Sequence, residues 1–328
     1  MENEITILLY HGVTEHENIG ITNHANKHLN VNDFSEQMKW LNSNANLLSM
    51  DEVAEMFQKN LPFPERSVAV TFDDGYKNNY STAMPVLDKY KIPTTFYIAA
   101  GMIGEDDLFW VDKIESCIEK TKEKKIEISL GGNIVKYNLD NDDSKLHALY
   151  SIKKYCKLSS QQHVDLIVEE LIEKTKVNPS IGDNPNYSTM NWNEVRELHK
   201  NKNFIIGGHS LKHEIFSNLD TEFMKNTVKK SLEIINKELD STIEHYSYPE
   251  GIGKQFSYEV VTSLKKNKIK CCPTARYGKN TPSINLFNLY RVMVGLGGTP
   301  FPYNAISNGD DLELLDPSNI TNLANSDN

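Results

Sequence analysis

The sequence predicts an α/β fold built on parallel strands, and three observations carry that expectation. The run Ser67–Phe72 is apolar and β-branched and stops abruptly on Asp73 and Asp74. The run Ile5–Tyr10 is apolar almost throughout, the pattern of a strand covered on both faces. Between and beyond these runs, strand-like and helix-like stretches alternate, which implies parallel pairing through right-handed crossovers. With 328 residues the chain has room for one large α/β domain or two ordinary ones.

In chain order, the first strand ends in His11-Gly12 and opens into a polar loop that carries His16, His24 and His28. Spacing predicts helices over 33–42 and 49–59, each opened by a capping-type residue. The strand that ends at Asp73 follows. An amphipathic helix over 80–91 is then closed by Ile92-Pro93, and Thr94–Ile98 reads as the next strand. Between 104 and 187 the rhythm breaks. A helix follows Phe109-Trp110, Gly131-Gly132-Asn133 turns a hairpin between 126–130 and 134–139, and two or three polar helices run to Lys176. Residues 104–187 therefore read as an inserted subdomain, with charge runs such as 120–125 forming solvated faces. The rhythm resumes with a helix over 192–200, a strand over 204–207 and a helix over 222–239. A strand over 245–248, a helix over 257–266, and strands over 269–274 and 289–294 complete it. The main domain is thus expected over 1–103 and 188–303, followed by a loose Asn/Ser/Asp-rich tail over 304–328.

Composition narrows the function classes. The formal net charge of -10 argues against a nucleic-acid partner and against an anionic membrane surface. No run approaches the roughly 18 apolar residues of a membrane span, so no transmembrane segment is expected. The start, Met1-Glu2-Asn3-Glu4-Ile5, lacks a basic stretch followed by an apolar one, which gives a cytoplasmic expectation. Cys117, Cys156, Cys271 and Cys272 form no CxxC pair and are expected to be reduced and not to bind metal.

Chemistry gathers at strand ends. In α/β proteins the carboxyl ends of strands are where sites are built. Two adjacent acids there, Asp73 and Asp74, repel each other and need a cation or a shared proton. His209 and His213 leave the strand over 204–207 with a four-residue spacing, so a turn can aim both imidazoles at one ion. Two imidazoles and one carboxylate make a three-ligand site that keeps positions open for water or substrate. One carboxylate suffices there, and the other is left to accept a proton from the attacking water. A third strand end, Tyr246-Ser247-Tyr248-Pro249-Glu250-Gly251, has the proline and glycine of a tight turn whose N–H groups could face an oxyanion.

Thr71-Phe72-Asp73-Asp74-Gly75-Tyr76, His209 to His213 and Tyr246 to Gly251, in this order, resemble the motifs of the polysaccharide deacetylases with a NodB-type domain, carbohydrate esterase family 4. The resemblance runs over about 5–103 and 188–296, leaving the insertion outside it. It implies a distorted (β/α) barrel with a mixed hairpin and helical insertion, and metal-dependent deacetylation of N-acetylated sugars. Carried over by motif, Asp73 is the base, Asp74, His209 and His213 hold the metal, and the Tyr248 main chain serves the oxyanion hole. Two departures stand out: Ser247 or its neighbours stand where many members have an arginine, and no histidine follows His245 to supply the usual late acid. Leu9-Tyr10-His11 and Leu289-Tyr290-Arg291-Val292 resemble a permuted branch acting on biofilm glycans, in which an N-terminal histidine is the acid. That resemblance assigns His11 as acid and Arg291 as the partner of Asp73. Trp110 and Trp192 are open to sugar stacking or packing, Glu250 replaces a frequent aromatic, and His16, His24, His28 and His199 are set aside.

The expected function is a metal-dependent N-deacetylase of an N-acetylated sugar or glycan, with a divalent ion, zinc first and cobalt, nickel or manganese next. Rival expectations are an O-acetyl esterase or deformylase on a nucleotide- or lipid-linked sugar, and a catalytically dead glycan-binding domain. Metal-independent amidase chemistry on a purine-like ring is disfavoured by the complete Asp-His-His set.

Overall fold

The computed structural model describes residues 3–252 and 257–308. The chain opens with β1 (Ile5–Tyr10), β2 (Gly12–Thr14) and β3 (His28–Asn30), then α1 (Val31–Asn44), the short β4 (Asn46–Leu47) and α2 (Met50–Lys59). A capping box in which Ser49 and Glu52 exchange bonds starts α2. β5 (Ser67–Phe72) leads into a π-helical turn (Asn79–Ala83), α3 (Met84–Lys89) and β6 (Thr94–Ile98). The middle of the chain holds α4 (Trp110–Lys120), the antiparallel hairpin β7 (Lys125–Leu130) and β8 (Asn133–Asn138), α5 (Asp142–Lys157) and α6 (Gln161–Thr175). α7 (Trp192–Lys200), β9 (Phe204–Gly208), α8 (Thr221–Leu239), α9 (Tyr258–Lys266), β10 (Val292–Met293) and α10 (Tyr303–Asn308) complete it.

The main sheet is parallel, in the order β10-β1-β5-β6-β9, with β4 added beside β5. Every residue of β1, β5 and β6 is buried, which explains why these strands read as uncharged runs of apolar and β-branched residues. On the outer face, Leu8, Tyr10, Val70, Phe72 and Phe96 join side chains of α1, α7 and α8 in the largest core. Phe72 lies between Tyr10 and Phe96, with ring centroids at 5.3 and 5.4 Å. On the inner face, Ile5, Ile7 and Ala69 pack with Cys271 and Leu289.

Past β9 the pairing continues as single bridges, Gly208 to Tyr246, His245 to Cys271, and Pro273 to Leu289. The last of these returns the chain to the segment that enters β10. The result is a distorted (β/α) barrel of the NodB type with a mixed hairpin and helical insertion. The strands expected over 245–248 and 269–274 are thus reduced to bridges, and the one over 289–294 keeps two residues. Proline has no N–H to give to a ladder, and Pro249 and Pro273 lie in or next to these stretches. Close approach replaces the ladder there: a Cβ on Gly207 would sit 2.6 Å from the Tyr97 ring and 2.9 Å from the His245 carbonyl oxygen.

Residues of α4, β7, β8, α5 and α6 bury their apolar faces in a separate cluster that includes Trp110, Ile128, Leu149 and Leu171, and Ile21 from the loop after β2 joins it. Trp110 and Trp192 are packed against the cores rather than laid open. The tail expected from 304 begins differently: Ala305 and Ile306 of α10 are buried in the main core, while 309–328 lie outside the described residues. The four cysteines are free and buried. Among the described residues no helix is long and apolar enough to cross a membrane.

Candidate active site

Parallel register brings the strand ends together. Tyr10 pairs with Phe72, and Ile98 with Gly208, so His11, Asp73 and His209 each leave the sheet at the same edge. Backbone bonds carry the order one step further: the Asp73 N–H donates to the Tyr10 carbonyl, that of His209 to Ile98, and that of Ser247 to Gly208, each at 2.9 Å.

The turn after β5 is sharp. Gly75 N–H donates to the Asp73 carbonyl at 3.0 Å, a three-residue turn with Asp74 at its centre and a positive φ of 76°. A non-glycine residue rarely adopts that conformation, and such strain gathers at functional sites. The turn splits the two carboxylates between different partners.

Asp73 belongs to Arg291. The guanidinium donates to both carboxylate oxygens, Nη1 to Oδ1 at 2.8 Å and Nη2 to Oδ2 at 2.7 Å. Its remaining donors go to the Thr274 carbonyl, the Thr71 hydroxyl and the Ser247 hydroxyl at 2.6, 3.2 and 2.9 Å. Arg291 is fully buried, so this two-pronged pair works without solvent screening. Burial pushes the Asp73 carboxyl up, but Arg291 and His209 outweigh it and hold the group below the usual carboxylate range. An ionised, oriented acceptor results.

Asp74 faces the two histidines. Its Oδ1 lies 3.5 Å from His209 Nε2 and 3.5 Å from His213 Nε2, and these three ligand atoms all fall within 4.8 Å of one another. Two ligand atoms bound about 2.1 Å from a tetrahedral ion are about 3.4 Å apart, so the spacing fits a shared divalent cation. Asp74 Oδ1 is buried and makes no hydrogen bond, an orphaned acceptor that an ion would satisfy. Burial raises its carboxyl, yet His213 and His209 pull it far below the ordinary range. His209 Nδ1–H donates to the Ser247 carbonyl at 2.9 Å, which fixes the ring and turns Nε2 inward.

The spacing of His209 and His213 is served by a turn, not a helix. Ser210 and His213 both take positive φ, 63° and 62°. Tyr246 Oη accepts from the Ser210 N–H at 2.8 Å, and the Glu214 carboxylate accepts from the Leu211 and Lys212 N–H groups at 3.2 and 2.8 Å.

His11 stands half-buried at the end of β1, its carbonyl accepting from Asn79 Nδ2 at 2.7 Å and its buried Nδ1 without a partner. Burial lowers its pKa, and Asp74 and Asp73 are near enough to pull against that change. Tyr248 differs from expectation. Its N–H donates to the Pro273 carbonyl at 3.4 Å and its hydroxyl to the Phe287 carbonyl at 3.0 Å, so the amide expected at an oxyanion already has a protein acceptor, though a distant one.

Several neighbours escaped the sequence reading. Ser247, noted there as the residue replacing an arginine, donates to Asp73 Oδ2 at 3.3 Å. Lys27 bonds Asp112 at 2.5 Å and the Tyr76 hydroxyl at 2.6 Å, and feels the charge of Asp74. His28, set aside as a loop residue, is buried at the start of β3 with Nδ1 2.9 Å from Asn78 Nδ2. Only folding places Lys27 and His28, because neither lies in a run with a recognisable spacing, and nothing in the run 246–251 tells that Ser247 turns to Asp73. Glu250 pairs with Lys157 of α5 at 2.8 Å and acts electrostatically on His213. His16 and His24 are exposed.

The profile of the polysaccharide deacetylase family matches residues 60–133 and 168–271, more than half of the chain. The match enters both ends of the expected insertion and stops before Arg291. The poly-β-1,6-N-acetyl-D-glucosamine N-deacetylase of Staphylococcus aureus is 39% identical over 90 residues, which is 27% of this chain and 31% of the relative. The matched stretch thus spans about a third of that relative's length. Among solved structures, the Streptococcus pyogenes deacetylase PplD in complex with acetate superposes with a TM-score of 0.61 at 16% identity, over 95% of this chain and all of that one. IcaB from Ammonifex degensii gives a TM-score of 0.58 at 16% identity, over 93% and 95% of the two chains. At such identity the likeness is one of fold.

Proposed function

Because this chain belongs to the polysaccharide deacetylase family, we propose that it is a metal-dependent hydrolase that removes the N-acetyl group from an N-acetylated amino sugar. The observation that carries this reading is the meeting of Asp74, His209 and His213 on one point, with a second carboxylate beside them in the grip of Arg291. Asp74, His209 and His213 would hold the ion. When bound, it supplies a Lewis acid that polarises the acetyl carbonyl and acidifies water.

The chain's own residues supply the proton traffic. Asp73, kept ionised by Arg291, takes the proton from the attacking water. Arg291 and Ser247 fix the carboxylate so that its lone pairs cannot swing away. His11, at the mouth of β1, gives a proton to the departing amine, and acetate and a free amino sugar leave. The Tyr248 amide contributes to the oxyanion hole by exchanging its long bond to Pro273 for one to the developing charge. Poly-β-1,6-N-acetyl-D-glucosamine is the first substrate to try, on the strength of the Staphylococcus aureus relative.

Acetate release from this glycan, with metal content measured in parallel, tests the reading. Asp73→Asn should lose at least about 10²-fold in turnover and keep its metal, since a general base contributes roughly that much or more. His209→Ala should lose both activity and metal. Near wild-type turnover in Asp73→Asn would remove Asp73 from the mechanism. Release from O-acetylated but not N-acetylated sugars would make the protein an esterase instead.

A further inference from the structure

α5 lies in the stretch between the two segments matched by the family profile, so nothing in that match accounts for it. Its polar side nonetheless reaches two carboxylates near the catalytic centre, Glu250 and Glu115. Tyr150, Lys153 and Lys157 fall at i, i+3 and i+7, one stripe of the helix. The buried side chains Ala148, Leu149, Ile152 and Cys156 occupy the side that packs into the insertion.

Two charged links tie the stripe to the site. Lys157 Nζ bonds Glu250, which lies in the turn two residues past Tyr248. Lys153 Nζ lies 3.6 Å from Glu115 of α4, the helix whose Asp112 bonds Lys27 and accepts from the hydroxyl of Tyr76, two residues after Asp74. α5 therefore spans from the turn that carries Glu250 to α4. At its far end the Tyr150 hydroxyl meets His24 Nδ1 at 3.2 Å, while the side chain stays 47% exposed. From Tyr150 to Lys157 the helix covers about 10 Å, the length of roughly two linked pyranose rings.

We propose that the Tyr150–Lys153–Lys157 face of α5 is a wall of the catalytic cleft along which an extended, uncharged N-acetylated glycan lies, with Tyr150 as a platform for a sugar ring. This rests on the hydrolase reading above and adds to it the helix face that holds the glycan. The charge pattern selects the occupant. Each ammonium on this wall is already matched by a carboxylate, so the wall offers paired donors and acceptors suited to sugar hydroxyls and no surplus cation for a diphosphate. A half-exposed amphipathic aromatic ring with its hydroxyl held suits the apolar face of a pyranose.

The test compares β-1,6- and β-1,4-linked N-acetylglucosamine oligomers from dimer to hexamer, and a uridine-diphosphate-linked N-acetylglucosamine, by kcat/KM. The wild type should favour the hexamer over the dimer and over the nucleotide sugar. In Tyr150→Ala the hexamer-to-dimer ratio should fall about fivefold, the worth of a lost aromatic contact. Tyr150→Phe, which keeps the ring, should retain the wild-type ratio. An unchanged ratio in Tyr150→Ala, or a preference for the nucleotide sugar, overturns the proposal. If no oligomer of any length is hydrolysed, the hydrolase reading fails on its own. The wall is then decided by calorimetric binding of the hexamer, where equal affinity of wild type and Tyr150→Ala overturns it and about fivefold weaker binding by the variant upholds it.

Discussion

Arg291 reaches Asp73 across 218 positions of sequence and ends as a fully buried, two-pronged partner. Its worth lies in what happens without it. Arg291→Met would leave Asp73 buried and uncompensated, which costs about 3–5 kcal/mol. We expect that loss in urea unfolding at neutral pH, together with a fall in turnover. Arg291→Lys restores the charge but not the planar fork, so stability should return in part and turnover much less. Equal turnover in Arg291→Lys and wild type would show that the fork geometry is irrelevant. At this scale the residue types were readable from the chain, since an acid pair, two spaced histidines and a late arginine are all visible in it. The support was not. Thr71, Ser247 and Thr274 each give Arg291 one oxygen, from three segments that share no pattern.

Among the elements, β9 shows how the sheet continues where its ladder thins. Gly207 and Gly208 sit against Tyr97 and Tyr246 with no room for a Cβ; at Gly208 it would lie 2.5 Å from the Tyr246 ring. Gly207→Ala should therefore destabilise the fold by about 1–3 kcal/mol, the usual cost of forcing atoms into a packed core. Because His209 follows directly, the same variant should also weaken metal binding, measurable by competition with a chromogenic chelator. A wild-type unfolding midpoint would mean that β9 can move aside freely. Strands β1, β5 and β6 were legible because burial on both faces writes a run of apolar and β-branched residues free of charge. The stretches near 246 and 272 carry similar residues, yet prolines deny them the N–H groups of a ladder, and only single bridges form.

Over the whole molecule, one ion would tie the turn after β5 to the turn after β9 and so hold two strand ends together. A ligand bound only by the folded chain stabilises it by about 2.7 kcal/mol at a hundred times its dissociation constant. Zinc should accordingly raise the thermal midpoint by about 5 °C or more, and a chelator should reverse the shift. Asp74→Ala should unfold at the same temperature with or without zinc. A wild-type midpoint indifferent to every divalent metal would count against the shared-ion arrangement, whatever the activity.

The sequence by itself determined the alternation of strands and helices, the hairpin and helices between 104 and 187, and the residue types of the centre. These are local properties, fixed by apolar period, by turn chemistry and by the spacing of acids and imidazoles. The motif resemblance assigns Asp74 to the histidines and Arg291 to Asp73; only the tertiary structure decided which oxygens surround Arg291, that the Tyr248 amide leans on Pro273, and that Lys157 of α5 meets Glu250. Each of these depends on contacts between distant segments, and the register of parallel strands and the packing of the insertion select those contacts. No window of the chain contains both partners.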